Sequence, residues 1–212
     1  VSNPYQVVKD FEKALCDYTG SPYAVTVNSC TNALFLALKY QRELDINNGL
    51  QSVEIPKRTY ISVPMQIKHA GFGVKFRDED WLGIYRLNPF NIWDSARFFT
   101  KNLFYYATNN KNYDKSYVCV SFHWSKTLGI QQGGAILHND PEFDRWSRMA
   151  RFDGRTEGIT PKNDKFTMLG WHMYMSPEIA AEGLIRLKFL KDCNDPLPND
   201  DYPDLSQMEI FK

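Results

Sequence analysis

Cys119-Val120-Ser121-Phe122-His123-Trp124-Ser125-Lys126-Thr127-Leu128-Gly129-Ile130-Gln131-Gln132-Gly133-Gly134-Ala135-Ile136-Leu137 is the stretch on which the reading of this chain turns. Val118 to Phe122 reads as a buried strand, and Gly133-Gly134 suggests a tight approach that leads into a second apolar run, Ala135 to Leu137. Lys126 stands between them. A lysine placed there can attach covalently to an aldehyde cofactor.

Outward from this segment, strands and helices alternate. Pro4 to Tyr18 spaces Val7, Val8, Phe11, Ala14, Leu15 and Tyr18 as one face of a helix, and Gly20-Ser21-Pro22 stops it. Tyr23 to Val27 reads as a short buried strand, followed by Asn28-Ser29 and a second helix carrying Ala33, Leu34, Leu36, Ala37 and Leu38. Ser52 to Ile55, Val74 to Phe76 and Pro89 to Trp93 are further strand candidates, with a helical run from Val63 to His69 among them. Beyond the lysine segment, Phe143 to Ala150 is helical, with Arg145 and Arg148 expected on a solvated face. Thr156 to Lys165 is a polar loop, and Pro177 opens a last helix packed through Ile179, Ala180, Gly183, Leu184, Leu187 and Leu190. This order predicts an α/β fold of three layers, α/β/α, around a mainly parallel central sheet.

Several residues at the strand ends are candidates for a ligand site. Ser29 and Thr31 stand at a helix start, where free amides and hydroxyls can hold a phosphate; capping the helix is the plainer role for them. Asp94 ends a strand, where carboxylates of open α/β sheets meet ligands; a helix N-cap is its other reading. Tyr60, taken alone, reads as a packing residue, and His123 as an orienting group or a hydrogen-bonded packing histidine.

Lys plus Arg and Asp plus Glu are equal at 25 each, which gives no electrostatic case for nucleic acid or an anionic membrane surface as a partner. A chain of 212 residues with 43% hydrophobic content can bury one substantial core. Cys16, Cys30, Cys119 and Cys193 are widely spaced and read as reduced thiols of a cytoplasmic protein, not a disulfide framework. The four histidines have no metal-binding spacing, so no metal site is expected. No secretory leader is expected at Val1, and no apolar run approaches the roughly 20 residues that cross a bilayer.

The lysine segment resembles the Ser-Phe-His-x-x-Lys motif and Gly-Gly turn of the DegT/DnrJ/EryC1/StrS family of sugar aminotransferases, which use pyridoxal 5'-phosphate (PLP). The resemblance runs from about Phe11 to Leu190. It implies that Lys126 holds the cofactor covalently and moves the substrate proton, and that Asp94, at the family's Glu-Asp-x-Ala motif, partners the pyridine nitrogen. It also implies that Ser29-Cys30-Thr31-Asn32-Ala33-Leu34 cradles the phosphate, with Cys30 in place of a glycine, and that Tyr60 stacks on the ring and Ser121 touches the cofactor. Arg97 stands where the family has a glutamine near the ring oxygen. In Gly170-Trp171-His172-Met173-Tyr174-Met175, His172 replaces the asparagine that reaches the neighbouring subunit's phosphate, and Tyr174 replaces an arginine.

The span from Val74 to Asp94 is shorter than the family's, so at least one βα unit is expected to be missing, as is the family's smaller C-terminal domain. The fold implied is a reduced form of the large domain of PLP-dependent transferase fold type I over residues 1–193. Residues 194–212 are acidic and proline-rich and are expected as a loosely attached tail. The implied activity is PLP-dependent transfer of an amino group from an amino acid such as glutamate to a keto sugar, with a nucleotide-linked sugar the expected acceptor, in a homodimer. A catalytically degenerate scaffold that binds PLP or a partner is the alternative.

Overall fold

The computed structural model describes residues 4–44, 49, 51–108, 115–199 and 201–211. In chain order the elements are α1 (Gln6–Thr19), β1 (Tyr23–Val27), α2 (Cys30–Leu44), β2 (Ser52–Pro56), α3 (Ser62–His69), β3 (Gly73–Arg77) and β4 (Tyr85–Leu87). They continue with β5 (Ile92–Ser95), α4 (Leu103–Thr108), β6 (Tyr117–Ser121), β7 (Gly134–His138), α5 (Pro141–Ala150) and α6 (Pro177–Phe189). Five strands form one sheet in the order β1-β7-β6-β5-β4, and β2 pairs with β3 beside it.

The expected mainly parallel sheet is corrected by the pairing. β5–β6 and β2–β3 are parallel, whereas β1–β7, β6–β7 and β4–β5 are antiparallel. The connections explain the difference. A parallel pair needs a crossover, which α4 supplies between β5 and β6 and α3 between β2 and β3. The return from β6 to β7 contains no helix, and β4 turns into β5 through residues 88–91, so both pairs run antiparallel. Between β3 and β5 the chain has only the short strand β4, in keeping with the brevity of that span.

The sheet is covered on both faces. Along β6, Val118 and Val120 point to the side of α1 and α6, while Tyr117 and Cys119 point to the side of α2 and α5; every residue of the strand is buried. A strand buried on both faces reads as an unbroken apolar run, which is how it appears in the sequence. Phe11 and Leu15 of α1 are fully buried, each worth roughly 1.5–3 kcal/mol relative to exposure. Gly20 ends α1 in a left-handed conformation (φ 74°), its amide donating to the Cys16 carbonyl at 2.9 Å.

A buried ionic cluster ties α1, β1 and α5 together. Glu12 accepts from the Thr26 amide and hydroxyl (2.9 Å each), from Arg148 (2.7 Å) and from Arg151 (2.5 Å). Arg148 also pairs with Asp144 at 2.9 Å, and Arg151 with Glu157 at 2.7 Å. Arg148 is therefore not on a solvated face as expected, because the buried Glu12 carboxylate draws it inward; Arg145 is exposed.

The C-terminal segment is fastened rather than loose. Leu197 donates its amide to the Arg97 carbonyl, Asn199 bonds the Trp81 carbonyl, and the Leu205 amide donates to Lys57. Leu205 is fully buried and Phe211 nearly so. Proline and acidic content suggested solvation, but two apolar anchors and these backbone bonds hold the segment across β4 and the loop after β2. Asp200 and Lys212 lie outside the described residues.

Candidate active site

The C-terminal ends of β5 and β6 and the start of α2 converge on a cleft of about 490 Å³. It brings together Lys126, Asp94, Arg97, Ser121, Cys30, Thr31 and Tyr60. His172 is elsewhere: it is exposed and bonds Asp153 at 2.9 Å through its ring nitrogen Nδ1.

At the α2 start, Ser29 caps the helix by accepting from the Asn32 amide at 3.1 Å, and the Thr31 hydroxyl lies 2.9 Å from that of Ser62 on α3. β7 comes very close here. A Cβ on Gly134 would stand 2.5 Å from the Cys30 nitrogen and 2.8 Å from the Val120 carbonyl oxygen, so only glycine lets the strand approach the helix start. Burial pushes the Cys30 thiol well above its ordinary pKa, which keeps it neutral.

Asp94 is 5% exposed and has a donor on each carboxylate oxygen, the Tyr85 hydroxyl at 2.7 Å and the Ala96 amide at 2.9 Å. Burial pushes its pKa up, opposed by these two hydrogen bonds and by the charge of Lys126. Lys126 extends from the turn after β6, where its amide donates to the His123 carbonyl at 2.8 Å. Its half-buried amine is pushed below the ordinary lysine range, first by desolvation and then by the charge of Arg97. That favours the neutral, nucleophilic form.

Arg97 donates to the Tyr202 hydroxyl at 2.9 Å, and its guanidinium lies 5.3 Å from that ring's centroid. The Arg97 Nε atom is buried with no hydrogen-bond partner. Tyr202 stacks on Trp81 at 6.2 Å, and the half-exposed Tyr60 meets it edge-on at 6.5 Å, so three aromatic rings border the cleft mouth. His123 turns its ring to the Ser125 hydroxyl at 2.9 Å and is exposed.

Two site residues escaped the sequence reading. Tyr85 reaches Asp94 because β4 and β5 pair; the signal was the turn residues Asn88-Pro89 between two apolar runs. Tyr202 enters the cleft from the C-terminal segment, and its sequence surroundings, Asp201 and Pro203, hide that.

The comparisons place the chain in a family. The family model described as "DegT/DnrJ/EryC1/StrS aminotransferase family" matches residues 1–83 and 112–196, leaving residues 84–111, with Asp94 and Arg97, outside the match. A spore coat polysaccharide biosynthesis protein, SpsC of Bacillus subtilis (strain 168), is 41% identical over 73 residues, 34% of this chain and 18% of that protein. Among solved structures, AtS13 from Actinomadura melliaura superposes with a TM-score of 0.67 at 20% identity, over 86% of this chain and 59% of its own. The sugar aminotransferase CalS13 from Micromonospora echinospora gives 0.64 at 18% identity, over 86% and 60%. This chain thus spans about three-fifths of the length of those structures. The superpositions show the fold, an α/β arrangement resembling the PLP-dependent type I transferases, and the breadth of the model match shows that the chain belongs to the DegT/DnrJ/EryC1/StrS aminotransferase family.

Proposed function

We propose that this chain is the large-domain portion of a PLP-dependent aminotransferase that moves an amino group from an amino acid such as glutamate to a keto sugar, nucleotide-linked in the fullest form of the reading. The observation that carries it is the meeting of Lys126, Asp94 and the α2 start in one cleft. The residues fit PLP chemically. Lys126 supplies the amine for its aldehyde, Asp94 a carboxylate for its ring nitrogen, and the amides of Cys30 and Thr31 with the Thr31 hydroxyl donors for its phosphate. Ser121 borders the same site, Tyr60 offers a ring at the mouth, and Arg97 brings a guanidinium to its lining.

When bound, PLP supplies an electron sink for the carbon whose proton is removed. The chain does the rest. A lysine amine whose pKa is lowered by burial can, in its neutral form, take a proton from a substrate carbon and return it to another atom, and a carboxylate at Asp94 would hold a proton on the ring nitrogen. The aromatic mouth of Tyr60, Tyr202 and Trp81 offers apolar surface to a sugar ring while shedding water from the site.

The sugar acceptor is supported by the description of CalS13 as a sugar aminotransferase and of SpsC as a polysaccharide biosynthesis protein. We further read residues 1–193 as a single large domain, 194–212 as its tail, the assembly as a homodimer in which His172 serves the partner's site, and the compartment as cytoplasmic. No helix among the described residues is long and apolar enough to cross a membrane, and no cluster of metal-binding side chains occurs among them. The second reading, a scaffold that binds PLP or a partner without turnover, is favoured by the neutral Cys30 side chain at the phosphate cradle and by Tyr174, which packs on Phe152 rather than offering a charge.

The test is release of 2-oxoglutarate from glutamate by the PLP-loaded protein. About one equivalent per bound cofactor from wild type and none from Lys126→Ala supports transamination. Binding of PLP with no release from glutamate or other amino donors contradicts it in favour of the scaffold.

A further inference from the structure

Asp94 depends on a device that the family match does not cover. The β4–β5 hairpin lies wholly within residues 84–111, outside the matched segments. In its ladder Tyr85 stands directly opposite Asp94. Side chains of directly opposed residues in an antiparallel pair project to the same face, and the tyrosine is long enough to bring its hydroxyl to 2.7 Å from Asp94 Oδ2.

Behind it, the Thr59 hydroxyl lies 2.6 Å from the same tyrosine oxygen. A phenol has one proton, and Tyr85 gives it to Asp94, so Thr59 is the donor to Tyr85. Proton donation therefore runs in one direction, Thr59 to Tyr85 to Asp94. Thr59 is 1% exposed and Tyr85 4% exposed, so water does not compete for either hydroxyl. The Ala96 amide holds the other carboxylate oxygen. The remaining titratable groups that act on Asp94 or feel its charge are the Cys30 thiol on α2, the Cys119 thiol on β6, Lys126 after β6 and Tyr202 of the C-terminal segment. Of these only Lys126 opposes the cost of burying the carboxylate, and it is itself partly desolvated.

We propose that Tyr85, backed by Thr59, is a positioning residue that fixes the Asp94 carboxylate in its ionised form and in one orientation toward the cleft. The proposal deepens the reading of Asp94 as the partner of the cofactor's ring nitrogen and rests on that reading. The hairpin is then a functional element of this chain, since β4 carries the hydroxyl that bonds Asp94 Oδ2.

The experiment is a carbon NMR titration of the full chain without cofactor, labelled at the aspartate carboxyls, with Asp94 assigned through Asp94→Asn. Tyr85→Phe keeps the ring and its packing and removes only the hydroxyl. Loss of a hydrogen bond to a charged acceptor should raise the Asp94 midpoint by about one pH unit or more. Thr59→Val should raise it less, and serves if Tyr85→Phe fails to fold by circular dichroism. An unmoved Asp94 midpoint in the folded variants overturns the proposal. A second readout is the pH profile of PLP uptake followed by absorbance: the acid limb should move upward by the same interval in Tyr85→Phe, a change that loss of packing alone would not produce. Wild-type protein that takes up no PLP would sink the functional reading, while the carboxyl titration would still decide the role of Tyr85.

Discussion

Replacing Glu12 by glutamine tests the physical basis of the fold most sharply, because that carboxylate is the shared acceptor for two guanidinium groups. Glu12 is 4% exposed and accepts from Arg148 at 2.7 Å and Arg151 at 2.5 Å as well as from Thr26. Glutamine has the same shape but no charge, and its amide presents protons where the arginines also donate. Removing one partner of a buried ion pair costs about 3–5 kcal/mol, since the other charge is left uncompensated. Here Arg148 keeps Asp144 and Arg151 keeps Glu157, which places the cost at the lower end, about 3 kcal/mol. With a urea dependence of about 2 kcal/mol per molar, the unfolding midpoint should fall by about 1.5 M. Urea titration followed by circular dichroism measures it directly. A midpoint within about 0.3 M of wild type, a change of about 0.6 kcal/mol, would refute the idea that this cluster depends on the Glu12 charge.

Three other outcomes follow from the same structure. Although burial pushes Asp144 up, His138 and Arg148 hold it down at about 2, and Glu12 is likewise held below its ordinary 4.5 by the two arginines. Both groups therefore give stability that is full above their unfolded pKa values and is lost as pH falls through their lowered folded values, about 2 for Asp144, and Asp144→Asn should flatten the acid limb of an unfolding-against-pH curve. Gly134→Ala should cost about 1–3 kcal/mol by urea unfolding, since the new methyl meets only backbone, at the α2 start and on β6, and neither can yield cheaply. Leu205→Ala removes a fully buried anchor of the C-terminal segment; it should cost about 2–5 kcal/mol and speed proteolytic cleavage after Lys191, the first sign that Tyr202 has left the cleft.

Most of the strand-and-helix order was legible because most elements have a strong local signature; β4 and the six-residue α4 were not anticipated. β1 occupies Tyr23–Val27 as its apolar run predicts, and β6 and β7 lie within a residue of their predicted ranges. Strand direction was not legible. Residues 122–133 are numerous enough for a crossover, and only the folded chain shows that they return without a helix. β4 has three residues, too few for a periodic signal, so Tyr85 could not be placed beside Asp94. Lys126, Asp94, Ser121 and the α2 start, singled out at strand ends, at a helix start and by the family motif, line one cleft, because those are the places where polar residues interrupt apolar runs. Arg148 and Tyr202 were misread for one reason: each is held by a partner more than 100 positions away, Glu12 for the first and Arg97 for the second, and local composition carries no trace of such contacts.

Covalent capture of PLP at Lys126 is the claim on which the function rests, and visible absorption of the purified protein with PLP tests it. Wild type should develop a band near ~420 nm that resists dialysis and moves toward ~330 nm when glutamate is added, as expected of a PLP enzyme, while Lys126→Ala should develop no such band. A band of equal strength in Lys126→Ala, or none in wild type, would contradict the assignment of the cleft as a PLP site.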